Sequence, residues 1–532
     1  MKKNRLKPFL RTFLGTLYFG FTVGVATGIL IVLFKYAAAF AIKSSSEIYG
    51  FLSAKPYFLP LALAVLFGLS FLCEFLYDRY PDSRGGGIPT AVAIVRGIIG
   101  FKWVRNLFAV LFSSLLSFVT GVPLGNEGPC VQAGVALSRG IVAASGKKYA
   151  GWNRYAMTGG AASGFAVATG APVAGILFAV EEAHRRFSPV VIGVTLFSVT
   201  FSTIAARFLS PLLGVPTELF EVVPNEVLPA SSLWLPAVIA IVIAILSIFA
   251  LKLYPLIDRL FTDKLKNIRT AFKMFGIFAV TLGLGMWSFS LISTGHSLIE
   301  STLANETVWW FLLVAIAIRY FLTVGTNVTG ITGGLFIPSL ALGAAGGSLV
   351  GKVLAFEGAI SPEYVGVCVT LGMSACMSGY MKMPLTAIAF SLEALGGTNN
   401  VVAVILAVSI SYAVVEFTGA KSINDAVIAA KIERLRAGKS PVVTDTFVTV
   451  LPKSFVVGKE IKDVLWPNNL IVLSIKHSAD SGAVMDVDGE KLIREGDVLH
   501  IRYSTYEVKI TTEELVSLIG EQEISGREIK RV

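Results

Sequence analysis

The sequence predicts an all-α polytopic membrane protein, followed by a small cytoplasmic α/β domain. Three observations predict this fold class. Of the 532 residues, 54% are hydrophobic and only 15% are charged, whereas a soluble domain usually carries about a quarter charged residues. Glycine-rich motifs recur in the same order in two parts of the chain. Finally, a polar segment with 15 acidic and 11 basic side chains begins near residue 441, after a body that is apolar and basic.

Long apolar runs recur over the first 440 residues. A hydrocarbon core of about 30 Å needs about 20 apolar residues in a helix, and closed β-barrels are excluded because they consist of short alternating segments. The clearest runs lie near 12–42, 57–77, 107–122, 187–209, 232–255, 274–293, 308–324 and 400–418. Basic residues precede the first run, which predicts an uncleaved first helix with its N-terminus in the cytoplasm.

Four further apolar segments are short and rich in glycine. They lie near 129–144, 156–182, 334–351 and 363–395. We expect broken or partial helices here, because irregular backbone at membrane depth is tolerated only where protein or water covers it. These segments should therefore be internal and line a path through the body.

The glycine-rich segments contain an internal repeat. One set of positions matches at an offset of 209: Gly125, Pro129 and Gly134 with Gly334, Pro338 and Gly343. A second set matches at an offset of 212: Gly160, Pro172, Phe178 and Glu181 with Gly372, Pro384, Phe390 and Glu393. Two packing helices that merely resemble each other are one interpretation. The other is an inverted repeat, which brings half-helices together with converging N-termini.

Three glycine-rich turns open apolar helices. They are Gly85–Pro89, Gly125–Pro129 and Gly333–Pro338. Glycine leaves backbone N–H groups uncovered, and proline suits the first helical turn. Because helix N-termini carry partial positive charge, two such turns that face one point would bind an anion without a full positive charge.

These turns resemble the signature segments of the CLC family of chloride channels and proton-coupled anion transporters. The family's turns read GSGIP, GREGP and GIFAP; this chain has GGGIP at 85–89, GNEGP at 125–129 and GLFIP at 334–338. The resemblance extends over roughly residues 10–438. It implies a CLC-like fold and a homodimer in which each subunit has its own anion pathway. It also implies a multi-pass protein of the inner (plasma) membrane with both termini in the cytoplasm.

The resemblance also implies roles for single residues. Glu127 matches the family's gating glutamate, whose carboxylate competes with the anion or takes a proton and swings away. Glu182 matches the inner proton glutamate of family antiporters. The backbone N–H groups of Glu127, Gly128, Leu335 and Phe336 would bind the anion, and Gly86, Gly87, Asn126 and Asn424 complete the expected site. Glu181 and Glu393 are interpreted as helix-end carboxylates.

Three positions depart from the family pattern. Gly86 stands where the family has a central serine, Asn424 where it has a central tyrosine, and Asn126 where it usually has arginine. The first two departures leave a central site that depends on backbone donors and favour slippage or channel-like conduction. An asparagine at 126 is typical of the fluoride-exporting branch, although that branch generally lacks an equivalent of Glu182.

The sequence therefore predicts a proton-coupled anion antiporter, most simply for chloride, with a passive chloride channel and a fluoride/proton antiporter as alternatives. An enzyme is not expected, because no nucleophile–base set or nucleotide-binding loop is recognisable. No metal site or cofactor is expected either, since Cys73, Cys130, Cys368 and Cys376 are scattered. The expected partners are a small anion, protons, the lipid bilayer and a second copy of the chain, and no nucleic acid.

The chain divides into a membrane domain, 1–438, and a cytoplasmic domain, 439–532. In the second, strands are predicted at 447–450, 470–475 and 498–502, and a short helix at 458–465. Over about residues 443–520 this domain resembles the C-terminal subdomain of potassium-channel regulator proteins (RCK-C or TrkA-C type). The resemblance implies a regulatory domain that dimerises and binds a small molecule; a domain that serves only stability or assembly is the alternative.

Overall fold

The computed structural model describes residues 3–185, 187–220, 226–436, 438, 440–477, 485–486, 488–522, 524 and 527–529. Helices dominate residues 3–436, and a small sheet follows. The helices of this body are α1 (Lys3–Ala54), α2 (Leu59–Arg79), α3 (Ile88–Val95), α4 (Trp103–Val119), α5 (Glu127–Ser145), α6 (Asn153–Thr169), α7 (Pro172–Phe178), α8 (Pro189–Leu213), α9 (Leu235–Arg259), α10 (Thr270–Trp287), α11 (His296–Leu303), α12 (Trp309–Thr329), α13 (Phe336–Phe356), α14 (Val365–Tyr380), α15 (Pro384–Ala394), α16 (Val401–Phe417) and α17 (Ile423–Arg436).

Each of the eight predicted apolar runs corresponds to a helix, which confirms the predicted fold class. Within the described residues, eight helices are long and apolar enough to cross a membrane. They are not the same eight, however, because α4 has only 17 residues and the glycine-rich α13 qualifies in its place. The first helix, α1, has 52 residues and extends beyond its predicted run at both ends.

Two of the four glycine-rich segments are broken, as the sequence predicts, whereas 129–144 and nearly all of 334–351 lie within the continuous helices α5 and α13. The segment 156–182 is divided between α6 and α7, which separate at Gly170 in a left-handed conformation with φ 70°. Its counterpart, 363–395, is divided between α14 and α15. Proline begins both α7 and α15, where its missing N–H group breaks no helical hydrogen bond.

The two repeats pack in the same way. In the first repeat, α5 and α6 cross where Gly134 meets the carbonyl of Gly160; in the second, α13 and α14 cross where Gly343 meets the carbonyl of Gly372. A side chain at any of the four positions would collide with the facing backbone. The repeat partners found in the sequence therefore serve as equivalent close contacts between helices.

The C-terminal part of the chain is a five-stranded antiparallel sheet in the order β3-β2-β4-β1-β5. Its elements are β1 (Val442–Thr449), β2 (Leu470–Lys476), β3 (Met485–Asp486), β4 (Val498–Thr505), α18 (Val508–Ile519) and β5 (Arg527–Ile529). The three predicted strands are present. The predicted helix at 458–465 is wrong: only Ile461–Asp463 form a single 3₁₀ turn.

This sheet domain docks on the end of the body that also carries the start of α1. Phe455 packs against the rings of Trp152 and Tyr155 at centroid distances of 5.3 and 5.2 Å. Leu465 lies in one apolar cluster with Phe19 of α1. The amino-terminal end of α1 and the sheet domain therefore lie at the same end of the body.

Candidate functional site

The second and third glycine-rich turns are joined directly by their backbones. The amide of Gly125 donates to the carbonyl of Gly334 at 2.8 Å, and the amide of Gly334 donates back to Gly125 at 2.7 Å. These two residues are partners in the repeat. The first turn also approaches, because a Cβ on Gly128 would lie 2.7 Å from the Cα of Gly334 and 2.8 Å from that of Gly87. All three turns thus converge, as the sequence predicts.

The starts of α5 and α13 present free amides at this point. No acceptor within the described part of the chain pairs with the N–H groups of Gly128, Leu335 or Phe336. The ring of Phe336 is fully buried between Phe165 and Phe390, at 5.1 and 5.3 Å. This packing fixes the first turn of α13 and leaves its first amides without an acceptor, as an anion site at a helix start would require.

Glu127 lies at the meeting point of the two helix starts. Its side chain is 0% exposed, and neither carboxylate oxygen has a hydrogen-bond partner among the described residues. Oε2 folds back over Gly125, where a Cβ would touch it. A carboxylate that is buried and free of partners is costly, so this side chain is not held as a structural group.

A buried lysine lies in the electrostatic field of Glu127. The positive charge of Lys35, in α1, attracts the Glu127 carboxylate. Its Nζ donates hydrogen bonds to the carbonyls of Val167 at 3.3 Å and Pro216 at 3.1 Å. Sequence reasoning missed it. The signal was present, since Lys35 is a single cation inside the apolar run 12–42.

The first glycine-rich turn does not supply the expected donors. Its three glycine amides all donate within the protein: Gly85 to Gly330 O at 2.8 Å, Gly86 to Ser83 O at 3.1 Å, and Gly87 to Gln132 Oε1 at 2.7 Å. In this conformation Gly86 and Gly87 therefore offer no free N–H group to an anion. The prediction that they bind the anion does not fit the structure.

Gln132 fills the space that the glycine at position 86 leaves open. It is fully buried, and its Nε2 donates to the carbonyl of Asp82 at 3.2 Å and to Asn106 Oδ1 at 3.3 Å. A Cβ on Gly86 would lie 2.7 Å from Gln132 Oε1. A side-chain amide from α5 thus occupies the place where the family resemblance implies a serine hydroxyl.

The two asparagines that depart from the family pattern are both at helix starts. Asn126 directly precedes α5, and its buried Oδ1 has no partner in the described part of the chain. Asn424 is 2% exposed in the first turn of α17, where it lies beside Glu182. Its Nδ2 is also unpartnered among the described residues.

A small cavity lies beside the start of α13. Leu335, directly before α13, and Ser339 of α13 line it, with Tyr380 from α14 and Ile423 from α17. Its volume of about 10 Å³ is close to the space that a single water needs. A halide ion would therefore enter this position only with local rearrangement.

Glu182 occupies a second buried position. It lies in a π-helical turn, Ala179–His184, that continues α7, and it is 1% exposed. The side chain of Arg96 donates to the carbonyls of Glu182 at 2.5 Å and Ala183 at 3.0 Å. A π-turn widens the helix locally and is frequent at functional sites.

The Glu182 carboxylate faces a cluster of charges. Its Oε2 lies 3.9 Å from Arg185 Nη2, while Oε1 has no hydrogen-bond partner in the described residues. Asp425 of α17 forms ion pairs with both neighbouring arginines, at 2.6 Å from Arg185 Nη2 and 3.7 Å from Arg96 Nη1, and so neutralises much of their positive charge. Arg96 and Asp425 are not identifiable from local sequence, because the cluster forms only when three helices meet.

Glu181 and Glu393 each cap the start of a helix in the other repeat. The carboxylate of Glu181 accepts from the amides of Leu385 and Thr386 at the start of α15, at 2.9 and 2.8 Å. The carboxylate of Glu393 accepts from Val173 and Ala174 at the start of α7, at 2.8 and 2.9 Å. They are helix-end carboxylates, as interpreted, but each serves the helix of the opposite repeat.

Comparison with known proteins matches residues 69–416 to the family described as voltage gated chloride channel. Two strains of Vibrio cholerae serotype O1 (ATCC 39541 and M66-2) have relatives named H(+)/Cl(-) exchange transporter ClcA. Each is 28% identical over 415 residues, which cover 75% of this chain and 86% of the relative.

Solved structures share the fold. A slow cyanobacterial Cl⁻/H⁺ antiporter superposes with a TM-score of 0.71 at 24% identity, covering 79% of this chain and 98% of the other. A eukaryotic CLC transporter gives 0.64 at 17%, covering 79% and 74%. A CLC-type fluoride/proton antiporter gives 0.62 at 19%, covering 76% and 95%.

Proposed function

Because the chain belongs to the voltage gated chloride channel family, we propose that it is an antiporter that exchanges chloride for protons. One observation carries the proposal: two carboxylates, Glu127 and Glu182, are buried in the body at 0% and 1% exposure. An ionisable group at such a position in a membrane protein is costly unless it has a function. The names of the relatives, H(+)/Cl(-) exchange transporter, support the same activity.

The geometry supports a competition between Glu127 and the anion. The side chain belongs to the first residue of α5, next to the free amide of Gly128, and its Oε2 lies over Gly125. After a rotation, the deprotonated carboxylate would accept hydrogen bonds from the same free amides as an anion. Protonation removes the charge of Glu127 and lets the side chain leave. The anion then binds to the helix starts, and the proton moves on towards Glu182.

The test is transport in liposomes with simultaneous recording of pH and chloride. In Glu127→Gln we expect proton movement to be lost while anion flux persists, because the amide cannot release a proton. In Glu182→Gln we expect proton movement to fall and anion flux to continue uncoupled. Glu357→Gln, at an exposed position after α13, is the matched control and should exchange normally. Proton movement that persists in Glu127→Gln would contradict the proposal.

A passive chloride channel is the second candidate, favoured by Gly86 and Asn424. Neither position has the hydroxyl that the family resemblance implies, and Gln132 occupies the space beside Gly86. A channel cannot use a proton gradient to accumulate anions. Failure of a pH gradient to drive uphill chloride uptake in liposomes would therefore select the channel.

A fluoride/proton antiporter is the third candidate, and Asn126 favours it. This asparagine stands next to Glu127 where the family usually has arginine. Its Oδ1 has no hydrogen-bond partner among the described residues. The similarity to a fluoride/proton antiporter is one of fold. The ratio of fluoride to chloride flux, measured under the same gradient, decides between them.

We propose that the protein is a homodimer in the inner membrane. Glu181 and Glu393 bring two carboxylates to a face of α7 and α15 that also exposes Val173 and Leu385, at 52% and 43%. Carboxylates on a lipid-facing surface are unfavourable, and a second copy would cover them. Subunit counting by cross-linking or native mass spectrometry tests the assembly.

We propose that the domains are divided as 1–438 and 439–532, with both termini in the cytoplasm. Docking of the sheet domain beside the start of α1 supports a common side, and the basic residues there support the cytoplasmic one. The antiparallel sheet with α18 is consistent with an RCK-C/TrkA-C-like regulatory domain. We propose that this domain also binds a small molecule.

A further inference from the structure

A large cleft separates the basic end of the body from the sheet domain. Its volume is about 1490 Å³, which exceeds the range of about 300–1,000 Å³ that is usual for a small-molecule site. The body contributes residues near the start of α1, the ends of α2 and α3, the last part of α5 with the segment after it, and the starts of α4 and α6. The sheet domain contributes 452–455, residues 465 and 467, and the length of α18. A halide or a proton does not need a space of this size.

The wall formed by the body is basic. Among its lining residues are Lys102, Arg105, Arg139, Lys147 and Lys148. Nine basic and five acidic side chains line the whole cleft. In the part of the chain that the structure describes, only one ion pair joins lining residues, between Arg154 and Glu514 at 3.8 Å. Most of the cations are therefore available to an anionic ligand.

The opposite wall carries carboxylates. Glu507, Glu513, Glu514 and Glu521 line it from the sheet domain, together with Lys453. These carboxylates repel phosphate but accept hydrogen bonds from hydroxyl or amino groups. Apolar side chains, among them Ile99 and Ile510, lie between the walls. The cleft thus has a basic end, an apolar middle and an acceptor end.

We propose that this cleft is a binding site for a phosphate-bearing molecule that has hydroxyl or amino groups at its other end. Arginine and lysine side chains bind phosphate oxygens by charge-assisted hydrogen bonds. Two sources have this chemistry: a soluble nucleotide and the headgroup of an anionic phospholipid. The position of the cleft at the cytoplasmic end of the helices admits both.

A chain of hydrogen bonds connects the cleft to Glu182, so a bound ligand could change the position of Glu182. Arg154, in the cleft wall, donates to the carbonyls of Trp466 in the sheet domain and of Arg96, and the side chain of Arg96 holds the carbonyls of Glu182 and Ala183. A phosphate that draws Arg154 away from Glu514 would shift this chain of bonds. This last step rests on the proposed function of Glu182; the binding site does not.

The test measures binding to the full-length protein. ATP and inorganic phosphate are titrated calorimetrically into protein in detergent. Retention of phosphatidylglycerol against phosphatidylcholine is measured by native mass spectrometry. The variant Arg105→Gln with Lys148→Gln removes two exposed cations of the cleft. Lys264→Gln with Lys266→Gln removes two exposed cations elsewhere on the cytoplasmic side and is the matched control. All variants must elute as a single species in size exclusion.

We expect saturable binding of ATP or selective retention of phosphatidylglycerol, weakened at least tenfold in the cleft variant and unchanged in the control. ATP binding identifies a nucleotide-like ligand, and lipid retention alone identifies a headgroup. Absence of both, or equal binding by the two variants, overturns the proposal. Because the readout is binding, loss of exchange activity would contradict the proposed transport function and leave this result standing.

Discussion

Replacement of Gly86 by serine provides a sharp test of the role assigned to Gln132. The Cβ of a serine at position 86 would lie 2.7 Å from Gln132 Oε1, 3.0 Å from the Ser83 carbonyl and 3.2 Å from Thr332 Cγ2. Overpacking of this kind costs about 1–3 kcal/mol. We therefore expect Gly86→Ser alone to destabilise the body by that amount.

Gln132→Ala has its own cost. It removes the 2.7 Å bond to the Gly87 amide and the two bonds donated by Nε2. A buried N–H group left without a partner costs about 1–3 kcal/mol. In the double variant Gly86→Ser with Gln132→Ala, the collision with Oε1 disappears. Its loss of stability should therefore be smaller than the sum of the single losses, by at least about 1 kcal/mol.

The assay is a double-mutant cycle. Unfolding free energies are measured by titration of sodium dodecyl sulfate into detergent micelles. The matched control pairs Gln132→Ala with Gly68→Ser, because Gly68 in α2 has open space around it; this pair should be additive. If the losses of unfolding free energy in Gly86→Ser and Gln132→Ala were also additive within about 0.5 kcal/mol, the proposed contact between position 86 and Gln132 would be refuted.

The same variants report on the anion. Gln132→Ala frees the Gly87 amide, and a hydrogen bond to a charged group is worth about 1.5–3 kcal/mol. We expect chloride to bind about tenfold more tightly by calorimetry, since about 1.4 kcal/mol corresponds to a factor of ten. An unchanged Kd would mean that the freed amide does not face the anion path.

Two further outcomes follow from single residues. Glu393→Gln removes the charge that caps the start of α7, so we expect a loss of about 1–2 kcal/mol in the same detergent titration, with Glu357→Gln as a neutral control. Burial, with a smaller effect of Arg11, lowers the pKa of Lys459 in the sheet domain to about 7. Because the unfolded chain then holds a proton that the folded chain has lost, stability should rise with pH between about 7 and about 10.4. Heat unfolding across this range checks it: Lys459→Met should flatten the rise, and an unchanged profile would contradict the assignment.

The three glycine-rich turns were predictable because each has a local signature. Glycine and proline at fixed positions mark a turn that opens a helix, and the repeat offset relates two of the turns. The break between α6 and α7 was predictable for the same reason, since Gly170 and Pro172 end one helix and start the next. Local covalent and steric constraints determined these features.

Gln132 and the Arg96–Asp425 pair were not predictable, because their partners are distant in sequence. Gln132 bonds to a residue 45 positions away, and Asp425 is brought to Arg96 by the packing of α17. The predicted helix at 458–465 failed for a related reason. Its amides donate to another segment, Gly458 to Ile493 and Ile461 to Lys491, so intrahelical bonds do not form.

The two reciprocal bonds between Gly125 and Gly334 have a consequence for how the protein can diversify. They involve only main-chain atoms, so exchanges of neighbouring side chains leave the junction of the repeats closed. Side chains around the junction, at positions such as 86, 126 and 424, can then change during evolution. Such changes would alter which ion is transported and how tightly transport is coupled to protons. The junction itself would open through a change that removes an amide hydrogen, such as proline at either glycine, or through a side chain at Gly128 or Gly334, where a Cβ would lie 2.7 Å from the facing backbone.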